Sequence, residues 1–373
     1  MKKDAHYYAV LAFSRACGFK KDCARDIAFA SQYVDDAKIN HIIIDGPIPN
    51  NIQHDKIDDQ PSFFNMATCH SYTRVKTFNY SAMINNTSAF HFVPGCKGQS
   101  LTKKLRCRQE SPVIVKILED ALKQDDLIRL GLTLHPFADT FSHQGFSGLL
   151  SKVNDIKNIK SRSKIPLSIS QGILKVATFF YSKDGFDRRV DSVMPAYGHG
   201  QAMEYPDLPY EKWSYEYDYS DEFSSSYKSS GFIDNRVRFR NAFEKIKGYL
   251  NQYLVNYPQY SSPNVNFNNF EILFDALLIE EPDHERIKNW KKTLIYAGLF
   301  DKNDPQLVYD EYMWLEDAFD NFKKEKFNRR KVTGVHLAEN FINSNWYKFY
   351  QTVKWYKDKF FQYCSDNGLD ICR

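Results

Sequence analysis

His135, Asp139 and His143 stand four residues apart in the stretch Leu134–Gly148, flanked by apolar residues at helical spacing. On an α-helix, positions i, i+4 and i+8 drift by about 40° per step and climb about 6 Å each time, so the three share one stripe. Imidazole nitrogens and carboxylate oxygens are the ligands zinc takes in hydrolytic sites. The spacing is too long for one small ion to be held by all three side chains, and it suits two ions that share the middle carboxylate. Burying three such groups among Leu132, Leu134, Phe137, Phe141 and Phe146 without partners would be costly, so metal binding is their expected role.

Other groups of the same chemistry lie elsewhere in the chain. His6 shares a helical face with Val10, Phe13 and Cys17, which also suits a satisfied core histidine. Asp35 and Asp36 end a second helix, where two carboxylates oppose the helix dipole and a nearby cation would make sense of them. Asp35 lies nearer that helix's buried face and is the candidate catalytic base. His70 is a further candidate ligand, and its neighbour Cys69 reads as a buried thiol. His199 sits between two glycines, which let backbone and imidazole approach a ligand closely. Glu204 or Asp207 would supply the last acid. His91 carries little weight, and His41, His54, His284 and His336 none.

These residues need elements to position them. Helices are expected over 4–17 and 22–36, over 112–123, and over 126–150, where Pro136 kinks the chain one residue after His135. Between them, 40–110 reads as a long irregular excursion with one or two short strands, its aromatics packing and forming a cleft wall near 60–95. The basic segment 151–165 reads as a solvated loop, with a phosphate-facing patch as the alternative. A polar Tyr/Ser-rich bridge over 211–234 leads to helices at 235–256, 267–280, 283–299, 304–325 and 337–365. In the last, Ile342, Trp346, Phe349, Val353, Tyr356 and Phe360 form an apolar stripe. The expected fold is mainly α, a multi-helix bundle. Residues 1–210 would be the metal-binding helical core, and 235–373 a helical layer packed on it.

Composition narrows the function. A net charge of +4 from 50 basic and 46 acidic side chains gives no nucleic-acid field. Seven cysteines, odd in number and without paired spacing, suggest free thiols in a reducing compartment. The N-terminal segment passes straight into an amphipathic pattern and is no secretory signal, and nowhere do about 18 apolar residues run together as a membrane span requires. The expectation is a cytoplasmic protein, with export by a signal-peptide-independent bacterial system as the alternative.

The phrases His6-Tyr-Tyr, Ser31-Gln-Tyr-Val-Asp-Asp36, His135-Pro-Phe-Ala-Asp-Thr-Phe-Ser-His-Gln-Gly-Phe-Ser-Gly148 and Gly198-His-Gly200 with Pro206-Asp207 resemble an uncharacterised bacterial family of unknown function. More distantly, the order of ligand types is similar to that of the zinc-dependent phospholipase C enzymes and the related fungal single-strand nucleases. That resemblance implies an all-helical hydrolase with two zinc ions, or three. Its ligands would be His6, Asp36, His70, His135, Asp139, His143, His199 and Asp207, with Asp139 bridging and Asp35 acting on the attacking water. Three departures stand out: those enzymes use a processed N-terminal amine as a ligand, the residue four after His199 is Met203, which leaves Glu204 and Asp207 as alternatives, and the third ligand of the central helix, His143, comes sooner after Asp139 than in those enzymes. The expected function is metal-dependent hydrolysis of a phosphoester such as a phospholipid or nucleic acid, the latter not supported by charge. The alternative from another class is an interaction module, or secreted effector, built around a structural metal.

Overall fold

The computed structural model describes residues 1–69, 79–163, 165, 196–217, 228–324 and 331–371. It opens with a π-helical segment, Asp4–Ala9, that runs directly into α1, Val10–Ala16, and α2 follows over Lys21–Asp36. Wide π turns are concentrated at functional sites in proteins. This one carries His6, buried at 1 % exposure.

α3 (Pro112–Ala121) starts with Ser111 as N-cap and proline at its first position, where the missing N–H costs nothing. α4 (Leu127–Ser142) is capped by Asp126, whose carboxylate accepts from the backbone N–H groups of Ile128 and Arg129 at 3.0 Å each. Pro136 lies inside α4, and the helix stops at Ser142 with His143 as its C-cap, short of the expected 150. α2 and α4 pack face to face through Ile27, Ala30, Val34, Leu130 and Leu134, all in the main core.

Two four-stranded sheets overturn the expected mainly α class: 51 % of the structure is helical and 13 % strand, a mixed α/β fold. In the first sheet β1 (His41–Ile44) pairs antiparallel with β3 (Gln60–Phe64), which pairs with β2 (Asp55–Ile57). Its other edge is β8 (Lys331–Val335), parallel to β1 in the register His41 to Lys331. The second sheet joins β4 (Ile156–Ser161), β5 (Lys212–Tyr217), β6 (Lys228–Ser229) and β7 (Ile233–Asp234). Part of the basic segment expected as a solvated loop is therefore a strand: Ile156 is fully buried beneath it while the lysines face outward. β1 with β8 and β4 with β5 pair across long stretches of chain, which leaves no local signal of those pairings to read.

The C-terminal helices are α5 (Asn235–Asn256), α6 (Glu271–Leu277), α7 (Asp283–Tyr296), α8 (Met313–Ala318) and α9 (Asn345–Asp366). α9 begins at Asn345, behind a Ser344 cap, so Ile342 falls outside it in a tight turn and is 38 % exposed. The other five residues of the expected stripe are buried. Most of the apolar interior is one cluster shared by α1, α2, α4, α5 and α9, and a smaller cluster of Phe92, Phe146, Ile156, Trp213 and Tyr215 fastens the second sheet beside the end of α4.

Candidate metal centre

Asp139 is the hub of a buried cluster. Its Oδ1 lies 3.1 Å from His6 Nε2, and its Oδ2 lies 3.3 Å from both His91 Nδ1 and His135 Nε2. His143 and His199 turn instead to Asp207, at 2.8 Å and 3.2 Å from its two oxygens. Asp35 reaches the cluster from the end of α2, 3.8 Å from both His91 Nδ1 and His135 Nε2. Three sets of ligand atoms lie within 4.8 Å of one another: His6, Asp35 and His135; His91, His135 and Asp139; His143, His199 and Asp207.

Backbone carbonyls aim the rings. His135 Nδ1 donates to Ser31 O at 2.8 Å, His143 Nδ1 to His91 O at 2.7 Å, His199 Nδ1 to Met203 O at 2.8 Å, and His91 Nε2 to Thr68 O at 3.0 Å. A carbonyl can only accept, so each of these nitrogens carries the ring proton. In the neutral form that binds a metal, the opposite nitrogen of each ring offers a lone pair, and all four of these nitrogens point at carboxylates or at one another. His135 Nε2 and His91 Nδ1 meet at 3.2 Å in this way. His6 stacks on His135 with ring centroids 3.7 Å apart, and its buried Nδ1 has no hydrogen-bond partner among the described residues. Acceptors facing acceptors in a buried space repel unless a cation lies among them: the Met1 ammonium answers Asp139 Oδ1, Asp207 Oδ1 and His143 Nε2, while His135 Nε2 and His91 Nδ1 still face each other beside Asp139 Oδ2. The donor set of imidazole and carboxylate, with four of the rings held by outer carbonyls, could hold metal ions.

The charges are consistent with that need. The Asp139 and Asp207 carboxyls are held well below the usual range: burial opposes this, but the facing histidines and the Met1 amine outweigh it. Burial holds His6 well below 6.5, aided by His135, and lowers His143. Asp35 goes the other way, up to about 7, through desolvation and then the nearby Asp139 charge, with His91 opposing. The α-amine of Met1 lies 2.7 Å from Asp139 Oδ1 and 3.0 Å from Asp207 Oδ1. Burial alone would lower its pKa, yet the aspartates raise it to about 11.

The fold thus brings together His6, Asp35, His135, Asp139, His143, His199 and Asp207. Asp36 turns toward Tyr309 and Gln32, which donate to its Oδ2 at 2.9 and 3.0 Å. Glu204 pairs with Lys2 at 3.0 Å, whereas Asp207 contacts both His143 and His199. A built turn explains this choice: the Asn235 side chain, at the start of α5, donates to Tyr205 O at 2.7 Å and Leu208 O at 2.8 Å, fixing the backbone around Asp207. His70 lies outside the described residues. Two participants carried little or no weight in the sequence, His91 and the Met1 amine. A histidine between Phe90 and Phe92, both fully buried, was the available signal for His91, because its own polar ring then had to be buried too.

A model of a family of unknown function, DUF6765, matches residues 1–364. No curated protein and no solved structure matches this chain.

Proposed function

We propose, for a chain that belongs to the DUF6765 family and so inherits no assigned activity, a zinc-dependent hydrolase acting on a phosphoester. The observation that carries the reading is the convergence of bare ring nitrogens on Asp139 and Asp207, which a divalent cation would relieve. His91, His135 and Asp139 would hold one ion and His143, His199 and Asp207 another, with His6 and Asp35 available to a third. Bound zinc ions supply a nucleophile from water near neutral pH and positive charge toward phosphoryl oxygens.

The chain's own residues do the rest. Asp139 offers Oδ1 to His6 and Oδ2 to His91 and His135, so it could bridge two ions. The carbonyls of Ser31, Thr68, His91 and Met203 fix which nitrogen of each ring faces inward. Asp35 is 28 % exposed at the edge of the cluster, and a carboxyl raised to about 7 is suited to accept a proton from water and return it near neutral pH.

A second reading, a structural metal in an interaction module, is favoured by the depth of the cluster: His6, His135 and Asp139 are at most 1 % exposed. Elemental analysis of the purified protein, combined with a panel of phosphodiesters, phospholipids and single-stranded nucleic acids, separates the two. Two or three zinc ions per chain with chelator-sensitive hydrolysis support the enzyme. One ion and no turnover support the structural centre, and no metal after careful purification removes both.

A further inference from the structure

A cavity of about 460 Å³ lies beside the end of α4, and Lys97, Arg106, Arg108, Arg238, Tyr215 and Tyr217 are among the residues that line it. The described lining residues include no aspartate or glutamate. Among the described residues no carboxylate pairs with Lys97, Arg108 or Arg238. The nearby Glu110 is engaged by Lys245 at 3.0 Å. Burial lowers the Arg238 pKa, and the other groups acting on it are Tyr215 and Cys107. Lys97, Arg108 and Arg238 around one concave space repel each other, and a part-buried guanidinium without a counter-charge is costly.

From this geometry we propose that the cavity is a binding site for a phosphate-class oxyanion. Guanidinium groups present paired N–H donors that match phosphoryl oxygens, and the tyrosine hydroxyls can donate as well. The volume admits a phosphoryl group with a small organic substituent. Gly145 keeps the floor open: its φ is +95°, and a Cβ there would stand 3.2 Å from Tyr215 Oη and 3.3 Å from Arg106 Nη2. The site also touches the metal cluster through the backbone. Arg238 Nη1 donates to Ser142 O at 3.1 Å and Arg106 Nε donates to Gly145 O at 3.0 Å, the carbonyls on either side of the turn that carries His143. An anion held by Arg238 would brace that turn. The proposal does not rest on the hydrolase reading.

Calorimetric titration of the full chain, metal-loaded as purified, with orthophosphate and with phenyl phosphate at ionic strength fixed by KCl, tests it. Saturable binding at one site per chain is expected. The doubly substituted Lys97→Ala, Arg108→Ala protein, altered at exposed positions, should bind about tenfold more weakly with an unchanged melting temperature. His284→Ala, altered at an exposed position outside both sites, should bind phosphate as the parent does. Tighter binding of phenyl phosphate assigns the site to the phosphate group of a larger ester, and equal binding assigns it to free phosphate. Phosphate binding that survives the double substitution but is lost in His199→Ala places the anion on the metal ions and overturns the proposal while leaving the hydrolase reading intact. Absence of saturable binding at millimolar phosphate also overturns it.

Discussion

Gly131 of α4 lies against the backbone carbonyl of Ile27 on α2, so closely that a methyl group at this position would overlap that oxygen and stand 2.8 Å from the Ala30 Cβ. This approach brings the Ser31 carbonyl, one turn further along α2, within 2.8 Å of His135 Nδ1. A glycine that ordinarily weakens a helix here sets the distance between the two helices that hold the cluster.

Gly131→Ala is therefore expected to destabilise the protein by about 1–3 kcal/mol, the range for overpacking a close interface, and to lower metal content by moving Ser31 away from His135. Gly248, in α5 with open space around it, is the matched control. Gly248→Ala should stabilise by about 0.5–1 kcal/mol through helix propensity. Chemical denaturation and metal analysis of both proteins check the pair, and equal effects at the two sites would refute the packing argument.

Asp139→Ala should lose more metal than His135→Ala, because a bridging carboxylate serves two ions. The exposed His284 is the control, and His284→Ala should leave the metal content untouched. Full metal stoichiometry in Asp139→Ala, measured by inductively coupled plasma spectrometry, would exclude a bridging role.

Metal affinity should fall with pH. In the metal-free protein Asp35, with its pKa raised to about 7, takes up a proton first as pH drops. His6 and His143, lowered by burial, take theirs only below the usual 6.5. Each bound proton must leave for an ion to enter, so zinc affinity should decline progressively from about pH 7 downward, while the Met1 ammonium, its pKa raised to about 11, keeps the affinity rising at higher pH. Competition titrations with a chromophoric chelator measure this, and constant affinity from pH 8 to 5 would argue against a histidine-rich site.

Asp35→Asn should keep the fold and abolish most phosphoester hydrolysis, because amide and carboxylate are similar in size but only the carboxylate takes a proton near neutral pH. Asp36→Asn should do much less, since Asp36 accepts from Tyr309 and Gln32. Steady-state rates on the best substrate of the panel decide the matter. Full activity in Asp35→Asn would reduce that residue to a polar helix end.

Lys357 on α9 is buried and donates to Asn65 O at 2.9 Å and Asn65 Oδ1 at 3.1 Å, and burial lowers its pKa to about 7. Its folded pKa lies below its unfolded value, so the charged form penalises the fold below pH 7 and the penalty is relieved as pH rises toward about 10. Lys357 should therefore make stability increase across that window by at most about 1.4 kcal/mol per pH unit. In Lys357→Met the gain between pH 7 and 9 should be smaller than in the parent. Denaturant midpoints at several pH values measure it, and identical slopes would mean that Lys357 stays charged.

Much of the candidate centre was legible in the chain. The four-residue spacing of His135, Asp139 and His143 specifies one helical stripe whatever surrounds it, and α4 is anchored by an Asp126 cap visible from residue type alone. The apolar faces of α2, α4 and α9 follow from helical period in the same way, which is why most of their core residues were readable. What tertiary structure decided were the partners from afar. Residues 331–335 close the first sheet beside residues 41–44, and β5 covers β4, so a chain read as mainly helical is mixed α/β. His91 enters the cluster because the Thr68 carbonyl orients its ring, and Asp207 meets His143 because Asn235 clamps its turn. Local sequence sets periodicity and capping through neighbours a few residues away. Strand pairing and ligand convergence depend on contacts between residues far apart in the chain, which no local pattern encodes.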